Sequence, residues 1–140
     1  MKALSIKQPW ASLIAHGIKD IENRTWYTNY RGKIYIHSTA KEAGSLYELL
    51  SDEQLQQMNN ILTSETLPHR PNSSIIGEVE IVDCVLNHNS IWAEATFIPI
   101  DETEGYPEKP IYNWVLRNPV LYDTPVTGVK GKLSLWEYKK

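Results

Sequence analysis

Gly17-Ile18-Lys19-Asp20-Ile21-Glu22-Asn23-Arg24-Thr25-Trp26 is the segment on which the reading of this chain turns. It opens with a glycine able to end a helix. Apolar and charged residues then alternate, so that Lys19, Glu22 and Arg24 come close together on a short extended stretch. In a strand, side chains at i and i+2 share a face, which points Glu22 and Arg24 the same way and Ile21 to the opposite face. Lys19 has the other parity, but it follows the helix end, where a turn can rotate it back. A base-acid-base cluster beside Trp26 can hold a polar, planar ligand: Lys and Arg donate, Glu accepts, and the indole offers a stacking face. The same charges also fit a solvated strand face with a weak ion pair.

Upstream, Lys2-Ala3-Leu4-Ser5-Ile6-Lys7 alternates as a short strand, and Gln8-Pro9-Trp10 interrupts it with a proline suited to the first turn of a helix. A helix over Trp10–His16 places Trp10, Leu13, Ile14 and Gly17 on one stripe. Downstream, the aromatic loop Trp26–Gly32 leads into a strand at Lys33–Ser38. From 41 to about 62, Leu46, Leu49, Leu50, Leu55, Met58 and Leu62 recur at helical spacing, with a fresh start at Ser51 capped through Gln54. Residues 63–74 read as a flexible loop, either a lid or a connector. Strands are expected at Ile75–Val85, with Gly77 marking a bulge or a close backbone approach, at Ile111–Arg117 and at Gly131–Tyr138. The segment His88–Glu94 is ambiguous, and 97–110 reads as a loop. About six strands with an early helix and a helical insertion predict one α+β domain over 1–140, built on a small curled sheet or barrel.

At 140 residues, with a net charge of −3, the chain is long enough for one core and is not coated in positive charge for general DNA binding. A local basic patch stays open, because binding follows the distribution of charge. The single cysteine, Cys84, lies in an apolar run and excludes an internal disulfide or a cysteine-rich zinc site. It reads as a small buried apolar residue, the alternative being a reactive thiol. No apolar run approaches the roughly 18 residues of a membrane span, and the N-terminus lacks the apolar core of a secretion signal, so a cytoplasmic setting is expected. His16, His69 and His88 show no metal-ligand spacing, His37 reads as a structural histidine at a strand end, the alternative being a base, and no metal or cofactor is expected.

The segments Leu4–Ala11, Gly17–Trp26, Tyr30-Arg31-Gly32, Ile36-His37, Gly77-Glu78-Val79, Asn113–Leu116 and Val129–Trp136, in this order, resemble the ASCH (activating signal cointegrator homology) domain family of the PUA-like superfamily. Its central signature, Gly-x-Lys-x-x-Glu-x-Arg, is matched at Gly17, Lys19, Glu22 and Arg24. The resemblance implies a PUA-like β-barrel related to RNA-binding domains, with a cleft beside the signature. On that reading Lys7, Gln8, Lys19, Glu22, Arg24 and Arg31 supply polar contacts, and Trp10, Trp26 and Trp114 supply stacking surfaces for single-stranded RNA or a modified nucleoside.

Two rival functions stand beside RNA binding. Some family members hydrolyse the acetyl amide of N4-acetylcytidine with a lysine and a threonine of the signature and a later glutamate. Here Lys19 matches the lysine, but Glu22 occupies the threonine position, and a carboxylate cannot simply replace a hydroxyl nucleophile in acyl transfer. Lys19 and Glu22 remain the catalytic candidates, with Glu22 as base toward water, Lys19 stabilising the oxyanion, and Glu80 or Glu94 assisting. The third function is a protein-protein adaptor, consistent with the acidic balance.

Overall fold

Nine elements follow one another among residues 1–62, 67, 71–99 and 109–139, which the computed structural model describes. They are β1 (Lys2–Gln8), α1 (Trp10–Ala15), β2 (Ile21–Arg24), β3 (Gly32–Glu42), α2 (Leu46–Leu49), α3 (Asp52–Ile61), β4 (Ser74–Val85), β5 (Tyr112–Val126) and β6 (Leu135–Glu137). The strands form one mixed sheet in the order β2-β5-β4-β3-β1-β6. Only β1 and β3 run parallel, because α1 and β2 intervene in sequence and carry the chain back. The architecture is α+β, as the segment pattern implies. The sheet has two edges and so is not a closed barrel, but it curls strongly. Arg24 on edge strand β2 donates to the carbonyl of Ser5 on β1, four places along in the strand order.

Helix α1 fills the hollow of that curl. The sequence stripe predicts one buried face, yet Ala11, Ser12, Leu13, Ile14 and Ala15 are all buried. A helix buried all round needs small residues where backbones approach, and Ala11, Ser12 and Ala15 provide them. Ala11, Ile14 and Ala15 join Leu4, Ile6, Ile34, Ile36, Ile76, Ile81 and Trp114 in one apolar cluster. Leu13 joins Ile18, Ile21, Leu50, Met58 and Trp92 in a second, roofed by the α2–α3 segment. Cys84 is buried in the first cluster, and burial pushes its thiol above the usual range, so it behaves as a small apolar residue.

Several element bounds differ from the sequence pattern for identifiable reasons. Strand β3 continues through Glu42, past residue 41 where the leucine periodicity begins, because Gln8 and Ser38 keep it in register with β1 and β4. Ser51 caps α3 with the reciprocal Gln54 bond that the sequence predicts. Strand β5 continues nine residues beyond the expected end at Arg117, to Val126, running through Asn118-Pro119 and Pro125. Its pairing with β4 slips at both places, and a bulge accommodates a proline that has no amide to donate. Gly77, paired with Leu121, lies between these two irregular stretches. A Cβ there would lie 2.2 Å from the Val120 carbonyl oxygen, so the close approach requires glycine. At the C-terminal end only Leu135–Glu137 pairs, not the whole of 131–138. The lid or connector expected over 63–74 lies mostly outside the described residues. Among the described residues no helix is long and apolar enough to cross a membrane.

Candidate functional site

The site begins with the way α1 stops. Ile18 N–H donates to the Leu13 carbonyl and Gly17 N–H to that of Ile14, the paired bonds of a Schellman ending, with Gly17 at φ 76°. Ile18 and Leu13 pack together in the second cluster, as that motif favours. The Leu13 carbonyl also accepts from the Lys19 amide at 3.1 Å. The turn therefore sets the direction of Lys19, and β2 begins only at Ile21.

Lys19 is 5% exposed, and its ammonium donates to the Ile21 carbonyl and lies 3.5 Å from Glu22 Oε1. It also stands 5.3 Å from the centre of the Trp10 ring. Burial lowers its pKa, while the Glu22 carboxylate opposes that shift. The other carboxylate oxygen, Oε2, accepts from Arg24 Nε at 2.9 Å and lies 2.8 Å from Arg24 Nη2. Glu22 is thus clamped between Lys19 and Arg24, one on each oxygen. Arg24 is anchored at its far end by the Ser5 carbonyl at 2.8 Å. Trp26 completes this wall. Trp114 meets it edge-on at 4.6 Å between ring centres and donates its indole N–H to the Trp26 carbonyl, which fixes the orientation of the Trp26 ring.

These groups line a cleft of about 740 Å3, together with Lys7 at its exposed rim. Of the residues the sequence singles out, Lys7, Trp10, Lys19, Glu22, Arg24 and Trp26 converge there. Three others do not. Trp114 is fully buried beneath Trp26 and offers no face to a ligand. Gln8 turns inward, its Oε1 accepting from the Ser12 amide at 2.9 Å, so that it caps α1 in place of Pro9, which has no capping side chain. Arg31 braces its own loop through the Thr28 and Tyr30 carbonyls and faces Asp83 at 3.8 Å. Of the two later glutamates, Glu94 lines the cleft, whereas Glu80 bonds Asn118 on β5.

The far wall of the cleft, Ile91–Glu94, carries no motif in the sequence. It is held by two asparagines that sit opposite each other on β2 and β5. Asn23 donates to the Trp92 carbonyl and accepts from the Glu94 amide. Asn113, fully buried, donates to both Asn23 and the Glu94 carbonyl and accepts from the His88 amide. Asparagine is disfavoured in strands, and two of them in β2 and β5 are the only sequence sign of this clamp. Buried donors without a partner are found at Gln8 Nε2 and at Trp92 Nε1 in that wall. His37 is structural: Nε2 donates to the Val129 carbonyl at 2.7 Å and Nδ1 lies 3.0 Å from Ser5 Oγ. No cluster of potential metal ligands occurs among the described residues.

Part of the chain is similar to known proteins. Activating signal cointegrator 1 of Homo sapiens is 36% identical over 90 residues, which is 59% of this chain and 14% of that protein. The Mus musculus protein of the same name is 34% identical over 90 residues, with the same shares. The match thus spans about one seventh of the length of these relatives. The ASCH domain model matches residues 4–125, which take in all or most of every strand but β6 and the whole base-acid-base cluster, and the chain belongs to the ASCH domain family.

Proposed function

We propose that this protein binds single-stranded RNA, seating a nucleotide in the cleft between Trp26 and the Lys19–Glu22–Arg24 cluster. The observation that carries this reading is the pairing of a fixed indole with a clamped carboxylate. The edge contact from Trp114 holds the Trp26 ring without covering both its faces, and base–aromatic stacking on such a platform is worth about 1–3 kcal/mol per base. Glu22 retains acceptor capacity for a base N–H, while Arg24 and Lys7 offer donors to phosphate. Titration of oligouridylate followed by tryptophan fluorescence tests it: saturable quenching that weakens as salt rises is expected, with Trp26→Leu reducing affinity about 5- to 150-fold. Quenching that survives unchanged in Trp26→Leu overturns this seat.

Hydrolysis of a modified nucleoside is the second reading, favoured by one feature, the lowered pKa of buried Lys19 beside a carboxylate. Both oxygens of Glu22 are already engaged, Oε1 by Lys19 and Oε2 by Arg24, so a water must share an oxygen with one of them. Incubation with N4-acetylcytidine and assay for cytidine decides: accumulation that Lys19→Met abolishes makes the cleft an active site. An adaptor role, in keeping with the cointegrator name of the relatives, follows if neither RNA nor nucleoside engages the cleft.

A further inference from the structure

A second cavity of about 390 Å3 adjoins the first, and the two share Ser5 and Thr39 as a common wall. Its floor is His37 and its outer lip is the irregular segment Lys130-Gly131-Lys132-Leu133. Ser5 ties the two sides together: its carbonyl holds Arg24 of the first cleft, and its hydroxyl meets His37 Nδ1 and accepts from the Trp136 indole at 3.1 Å. Gly131 packs so closely here that a Cβ would lie 2.6 Å from both His37 Cε1 and Ser5 Oγ, which pins the lysine-bearing lip against this floor. Among the described residues no acidic side chain lines the second cavity, and Lys130 and Lys132 are exposed with no ion pair.

From this continuity we infer that the second cavity carries the sugar-phosphate backbone of the nucleotides next to the one seated in the first cleft, with Lys130 and Lys132 each facing a phosphate. The inference rests on the nucleotide reading of the first cleft and goes beyond it: the ligand is a strand, not a mononucleotide. Charge supports that occupant. In a chain of net charge −3, two lysines without an ion pair among the described residues, on a cavity whose described lining has no carboxylate, continue the row of cations Lys7 and Arg24 of the first cleft, where Glu22 and Glu94 are the acidic members.

The test compares uridine monophosphate with oligouridylates of two, four and eight nucleotides on the full chain and on Lys130→Ala/Lys132→Ala. Both side chains are exposed, and circular dichroism verifies the fold of the variant. The wild type is expected to bind the tetramer at least about tenfold more tightly than the monophosphate. The double variant is expected to lose that gain and to bind the monophosphate unchanged. Its slope of log affinity against log salt is expected to be shallower by about 1.4, or about 0.7 for each phosphate that a lysine no longer neutralises. Equal affinity for monomer and tetramer, or a double variant that binds the tetramer like the wild type, overturns the strand path while leaving the nucleotide seat intact. Failure of both monomer and oligomers to bind the wild type overturns the seat, and the path with it.

Discussion

Lys19 is a base placed where its charge is expensive, and Glu22 is the reason it is tolerated. Removing the carboxylate with Glu22→Ala strands a buried ammonium, a change that costs about 3–5 kcal/mol when one partner of a buried pair is removed. The cost should depend on pH. Burial lowers the folded-state pKa of Lys19 below its ordinary 10.5, so between the lowered value and 10.5 the unfolded chain binds more protons than the folded one. The contribution of this group to stability therefore rises with pH across that window, and below the window the whole cost of burying the charged amine is present. Urea unfolding at pH 7 and pH 10 should show the Glu22→Ala deficit shrinking at the higher pH. Lys19→Met, which leaves Glu22 paired with Arg24, should remove the alkaline gain relative to the wild type. A Glu22→Ala deficit that is the same at both pH values would mean that the ammonium is not the group left unpaired.

At the scale of elements, the cleft depends on bonds between segments far apart in sequence. Asn113 donates to two carbonyl-type oxygens and accepts one amide while fully buried, so Asn113→Ala leaves the Glu94 carbonyl and the His88 amide without those partners. A destabilisation of about 2–6 kcal/mol is expected, at roughly 1–3 kcal/mol for each of these two unsatisfied groups, with faster amide exchange over 88–94. Unchanged exchange there would show that the wall stands without its clamp. Gly77→Ala sets a methyl group against the Val120 carbonyl and should cost about 1–3 kcal/mol or more in the same unfolding assay. These two cases also mark what sequence can tell. Alternation over 75–85 and 111–117 identifies β4 and the first half of β5, because period-two burial is a local signal. The rest of β5 is hidden, since Asn118-Pro119 and Pro125 look like terminators until the partner strand accommodates them as bulges. In the same way Glu22 and Arg24 are legible as neighbours at i and i+2. Residue type alone cannot say that Gln8 caps a helix, that Arg31 braces its own loop, or that Trp114 lies under Trp26 instead of beside it. The Ile91–Glu94 wall is beyond local reading altogether, because Asn23 reaches it across 69 positions of sequence.

For the molecule as a whole, the curl of the sheet gathers cations of an acidic chain around one cleft. Arg24 reaches from one edge strand to the carbonyl of Ser5 near the other edge, and that closure gathers Lys7 on β1 and Arg24 on β2 around one opening. A polyanion drawn by total charge would be repelled by −3, so the affinity for RNA proposed above would have to come from few, local interactions. Few phosphate interactions predict a shallow salt dependence, far from the slope near −10 of an extensive DNA binder. Lys7 gives the cleanest probe, being exposed at the rim with no ion pair among the described residues. Lys7→Ala should leave stability within about 0.5 kcal/mol and lower affinity for oligouridylate at low salt. It should also make the log–log salt slope shallower by about 0.7, as one fewer neutralised phosphate requires. Duplex DNA of equal length should bind far more weakly, because its paired bases cannot reach Trp26. If Lys7→Ala lowers affinity equally at all salt concentrations, the lysine touches a neutral part of the ligand, and the polarity assigned to the rim must be reversed so that the base, not the phosphate, lies outward.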